Sequence, residues 1–143
     1  MATGEGFAGW GKKAWRDGKF AESADFYRRA AEVFDASGEF MRGAHAGRHQ
    51  AEALLKAGDA AGASDCILEI VRFYRAQEVQ GQEVGRLEMA NALRVAGLAE
   101  EARGHTKAAG EYWTEARAGY LAEGVEAGVA ECDVRLKAIQ GEV

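Results

Sequence analysis

The chain has 143 residues, 48% of them hydrophobic and 29% charged, with a net charge of −5. That is the composition of one globular domain rather than a disordered chain, and its acidic balance argues against nucleic-acid binding. No run approaches the roughly eighteen apolar residues of a membrane span.

The opening Met-Ala-Thr-Gly-Glu-Gly lacks the basic head and apolar run of a secretory signal, so a cytoplasmic protein is expected. Cys66 and Cys132 are too few for a disulfide framework and wrongly spaced for zinc. Proline is absent while glycine occurs 19 times, a mixture that suits helices closed by glycine turns.

In chain order, a helical stretch from Gly4 to Arg16 comes first, and then a 21-residue block from Gly18 to Gly38. A second helical stretch, Glu39 to Ala57, leads to a matching block from Gly58 to Glu78. A third, Gln82 to Ala96, precedes a block from Gly104 to Gly124, and a closing helix covers 125–140. The three blocks align without gaps. Their sixth residue is small (Ser23, Ala63, Ala109), their eighth acidic (Asp25, Asp65, Glu111) and their tenth bulky (Tyr27, Ile67, Trp113). An aromatic column follows (Phe34, Tyr74, Tyr120), so the buried-type positions recur at the spacing of one helical face. The array reads as three helix pairs, approximately 4–38, 39–78 and 82–124, in a single domain over 1–143.

The block starts are 40 and then 46 residues apart, so the third unit holds an insertion. Two placements are allowed. The third turn lies either at Gly97, with an overlong second helix over 98–123, or at Gly104, and Gly97 is preferred.

These residues resemble the tetratricopeptide-repeat family. The likeness rests on Gly97-Leu-Ala-Glu-Glu-Ala102 with Ala109, on Gly18-Lys-Phe-Ala-Glu-Ser23 with Tyr27 and Ala30, and on Trp10-Gly11 ahead of it. Gly58-Asp-Ala-Ala-Gly-Ala63 is a weaker copy. The family's helix-ending proline is missing, and the period exceeds its usual value of about 34, so the long-period relatives are the closer likeness. The resemblance implies an all-α superhelix of three antiparallel helix pairs with a C-terminal capping helix, acting as a non-enzymatic protein-interaction module without cofactor. It also implies a concave groove lined by Lys12, Trp15 and Arg16, by His45, Arg48 and Glu52, and by Asn91 and Arg94. Its register packs Trp10 inside. Ala8 and Lys12 stand where the family's carboxylate clamp would have Lys and Asn, so that clamp is not reproduced.

Charge points to the kind of partner. The stretches 4–16, 39–57 and 82–96 carry eight Lys or Arg against five Asp or Glu, whereas 19–37, 59–78 and 98–123 carry eight against thirteen. With the first helices lining the groove, an acidic peptide segment is the expected ligand. A self-assembling scaffold built on Phe7 and Trp10, or a small secretion-type chaperone, are the alternatives. His45 and His49 have the helical spacing of two metal ligands, but Ala46 occupies the place of a metalloprotease glutamate, so no metal is expected. Cys66 falls in a core column, and Cys132 sits between Glu131 and Asp133, which raise a thiol's pKa. No catalytic arrangement emerges.

Overall fold

The structure, a computed structural model, describes residues 2–141. It is all-α. Its helices are α1 (Gly4–Arg16), α2 (Phe20–Ala36), α3 (Phe40–Lys56), α4 (Ala60–Val79), α5 (Arg86–Ala102), α6 (Thr106–Ala122) and α7 (Glu126–Gly141), with no strand among the described residues. Among the described residues no helix is long and apolar enough to cross a membrane. The chain forms two compact units, Met1–Ile70 and Val71–Val143.

One device makes every connection. The glycines at 18, 38, 58, 81, 104 and 124 follow the six helix ends, each at a φ between 70° and 89°. At the first, Lys19 N–H donates to the Ala14 carbonyl (2.8 Å) and Gly18 N–H to that of Trp15 (3.0 Å), the paired bonds of a Schellman cap. The same two bonds recur at the other five ends. In five connections the residue after the glycine also starts the next helix, as when the Lys19 carbonyl accepts from Ser23 N–H (2.9 Å). The α4–α5 link is the exception, with Gly85 starting α5.

The third turn lies at Gly104, not at Gly97. Gly97 is buried within α5, where a Cβ would stand 2.7 Å from Trp113 Cε2, so it is a close-packing glycine rather than a turn. The extra residues that lengthen the third period fall elsewhere. Helix α4 has 20 residues where α2, α3, α5 and α6 have 17, and the link after it is also longer.

Packing within each unit is an exchange of volume. The buried residues of α1 (Gly4, Gly11, Ala14) and of α3 (Gly43, Ala44, Ala46, Gly47, Ala51, Ala53) are all glycine or alanine. In the first unit the large buried side chains come from α2 and α4, whereas in the second unit α5 buries Leu93 and Val95 beside its alanines and Gly97. In the first unit Tyr27 lies on Gly11, Phe34 on Gly4 and Ile70 on Gly47, while Ser23 Oγ donates to the Gly11 carbonyl (2.8 Å). In the second, Trp113 lies on Gly97 and Tyr120 on Gly128. Since Gly4 meets Phe34 and Gly11 meets Tyr27, α1 and α2 run antiparallel; Arg117 with Asp133 and Tyr120 with Gly128 show the same for α6 and α7. The small column is fully buried at Ser23, Ala63 and Ala109.

Trp10 corrects the register drawn from the resemblance. It is 50% exposed, its ring against Phe7 and Phe26 on the outer side of α1 and α2. The buried stripe of α1 is made instead by Gly4, Gly11 and Ala14, which let α2 approach closely.

The volume exchange can be tested by sign. Gly97→Ala should destabilise by about 1–3 kcal/mol, because the added methyl meets the indole. Gly110→Ala, whose methyl meets nothing within 4 Å, should stabilise by about 0.5–1 kcal/mol through helix propensity. At the positions equivalent to Gly97 and Trp113, the second repeat has Ala51 and Ile67, both fully buried. The double variant Gly97→Ala/Trp113→Ile should therefore cost less than the sum of its single changes in urea unfolding.

Candidate functional site

In the first unit, side chains of three helices converge on Tyr27. Its ring lies on Gly11, where it closes the α1–α2 contact. His49 of α3 stacks on it at 5.0 Å with the ring planes 20° apart, and His45, one turn earlier, meets His49 edge-on at 4.9 Å. Arg48 and Glu52, four residues apart on α3, form a salt bridge of 2.7 Å with side chains only 11% and 23% exposed. Burial pushes the Tyr27 hydroxyl above its ordinary pKa and Glu52 adds to the rise, while Arg48 and Arg16 act against it.

The structure thus brings Arg16, His45, Arg48 and Glu52 into one neighbourhood, with Tyr27 and His49 as its platform. Lys12 is exposed one turn before Arg16 on α1, and Trp15 is half-buried, edge-on to Phe20 at 5.1 Å. Tyr27 had been read as core alone; no spacing in the sequence announces that its ring also carries His49.

The remaining expected groove residues belong to the second unit, where they hold its helices together. Asn91 Oδ1 accepts from the Tyr120 hydroxyl (2.7 Å), which ties α5 to α6. Arg94 donates through Nε (2.5 Å) and Nη2 (3.2 Å) to both carboxylate oxygens of Glu131, which ties α5 to α7. Arg48 is nearly enclosed and Arg94 about one-third exposed, and each holds a carboxylate of its own unit.

The basic excess is uneven as well. Helices α1 and α3 each carry three Lys or Arg against one Glu, whereas α5, which includes Glu100 and Glu101, carries two against three. Lys12, Lys13 and Arg16 are exposed, and among the described residues they make no salt bridge. Most other surface arginines are paired: Arg28 with Asp25 and Glu32, Arg29 with Asp25, Arg42 with Glu5 and Glu39, Arg75 with Glu115, and Arg117 with Asp133.

Among the described residues no group of three His, Cys, Asp or Glu is arranged to hold a metal ion. His45 and His49 touch each other edge-on instead of converging on one point. No family model matches the chain, and no curated protein matches its sequence.

The thiols are held neutral. Cys66 donates to the Gly47 carbonyl (3.3 Å), and burial, with Glu69 nearby, pushes its pKa from 9.0 up to about 11. Cys132 is fully buried; burial first, then Glu131 and Asp133, push it to about 11 as well. Between about pH 9 and pH 11 the native state keeps protons that the unfolded chain has lost, so stability falls as pH rises through that window. Urea unfolding should show this loss, and Cys66→Ala/Cys132→Ala should show less of it than the wild type. Both thiols should resist iodoacetamide at neutral pH until the chain is unfolded.

Proposed function

We propose that the chain is a non-enzymatic protein-interaction module of the tetratricopeptide-repeat type, and that its α1–α3 surface receives an acidic segment of a partner protein. The observation that carries this reading is the contrast in ion pairing. The unit's other arginines, Arg28, Arg29, Arg42 and Arg48, are held by carboxylates of the same chain, while Lys12 and Arg16 stand exposed without a salt bridge beside the Tyr27–His49 cluster. A ligand carboxylate reaching them displaces water only; one reaching Arg48 would first have to part it from Glu52. Trp15 supplies an amphipathic ring three residues along from Lys12, and His45 an exposed imidazole on α3. This combination of cations and aromatic edges suits a peptide that carries carboxylates and at least one apolar side chain.

Titration with a glutamate-rich peptide and its lysine-rich counterpart tests the reading. The acidic peptide should bind and the basic one should not, with affinity falling as salt is added over the range where the screening length drops below about 10 Å. Lys12→Glu and Arg16→Glu should each weaken binding about tenfold or more, since hydrogen bonds to charged groups contribute roughly 1.5–3 kcal/mol. Melting temperature should hold for Lys12→Glu, which breaks no salt bridge, and fall slightly for Arg16→Glu, which puts an anion in the last turn of α1. Arg48→Ala should lower the melting temperature, because Glu52 then loses its partner. Equal binding of both peptides, or indifference to both reversals, would sink the proposal.

A further inference from the structure

The outer edge of α1 and α2 has a composition that the acidic-peptide reading does not use. Trp10 is half exposed there, with Phe7 edge-on at 5.6 Å and Phe26 tilted against it at 5.8 Å. Beside it lies a hollow of about 410 Å³ whose floor includes Trp10 and Phe26 and whose rim carries Lys13, Asp17, Lys19 and Glu22. Two of these rim charges are positive and two negative. Among the described residues none of the four forms a salt bridge.

We propose that this edge is a self-association surface, on which a second copy of the chain seats its own Trp10 and Phe26 about a two-fold axis. A two-fold contact brings each residue of a patch against its counterparts in reverse, so only a patch carrying both signs can satisfy itself. Lys13 and Lys19 of one copy then face Asp17 and Glu22 of the other, around a centre of aromatic rings. A uniformly acidic or basic partner would match half of this rim and be repelled by the rest. The α6–α7 edge makes the comparison. Its hollow is lined by Leu121, Val125 and Val129, but the charges there, Glu126 and Asp133, are of one sign, and Asp133 is already held by Arg117. Among its lining residues that edge has no cation to answer its carboxylates across a two-fold axis.

The association also leaves the acidic-peptide surface open. At about 100° per residue Lys12 and Trp15 lie about 160° and 140° around α1 from Trp10.

Sedimentation of the chain without added ligand, over a wide range of concentration, tests the proposal separately from peptide binding. The wild type should form dimers. Trp10→Ala should raise the dissociation constant at least about tenfold, the usual result of truncating a central aromatic anchor. The all-acidic variant Lys13→Glu/Lys19→Glu and the all-basic variant Asp17→Lys/Glu22→Lys should each be monomeric alone and should form a heterodimer when mixed. These rim residues are exposed, so dichroism should show both variants folded. A wild type that stays monomeric throughout overturns the proposal. So does a dimer indifferent to Trp10→Ala, or a mixture of the two charge variants that fails to associate.

Discussion

Helices can approach closely only where one of them surrenders side-chain volume, and in the first unit α1 and α3 do so. Glycine and alanine make up the whole buried surface of α1 and α3, so the rings of Tyr27 and Phe34 rest almost on the α1 backbone. The same closeness lets the Ser23 hydroxyl reach the Gly11 carbonyl and the Cys66 thiol that of Gly47. These two buried polar atoms are thereby satisfied by backbone of the neighbouring helix. A helix so depleted of large residues has little apolar area to contribute. Its stability therefore depends on the neighbour that covers it, consistent with most helical stability coming from tertiary packing.

That division of labour also explains the distribution of polar chemistry. With their packing surfaces made small, α1 and α3 have the rest of their circumference for Lys, Arg and His, and α3 sets its two imidazoles and a salt bridge around the Tyr27 ring. In the second unit the equivalent resources serve cohesion. Arg94 joins α5 to α7, Asn91 joins α5 to α6, and Glu101 accepts from the Trp113 indole (2.9 Å).

Much of the fold was legible because local signals agreed. Helix α1 runs over the residues its pattern indicated, closed at one end by the Thr3 hydroxyl accepting from Gly6 N–H and at the other by Gly18. The third unit was misplaced because glycine serves two physical purposes. At Gly104 it supplies a positive φ; at Gly97 it supplies room for an indole, and the flanking residues do not distinguish the two. The aligned blocks, which begin at Gly104, held the better information. At the site, the Arg48–Glu52 bridge was visible as a spacing of four residues, and burial at 11% is what alters its meaning. The Arg94–Glu131 bridge spans 37 residues and had no local signal. Trp10 was placed inside by the register of the resemblance; here α2 presses on Gly11 beside it, leaving the ring at the edge.

The recurrence of one cap at all six connections bears on how such a chain can change over time. Each cap is drawn from the last turn of one helix and the residues that follow it, as where Gly58 and Asp59 bond back to Leu55 and Leu54. A crossover between the codons of two such turns would join a complete helix end to a complete helix start and leave no backbone group stranded. Recombination at the glycines therefore adds or removes whole helices in register. A break inside a helix would instead shift every glycine away from the ring it accommodates, so the places where this gene tolerates rearrangement are written in its turns.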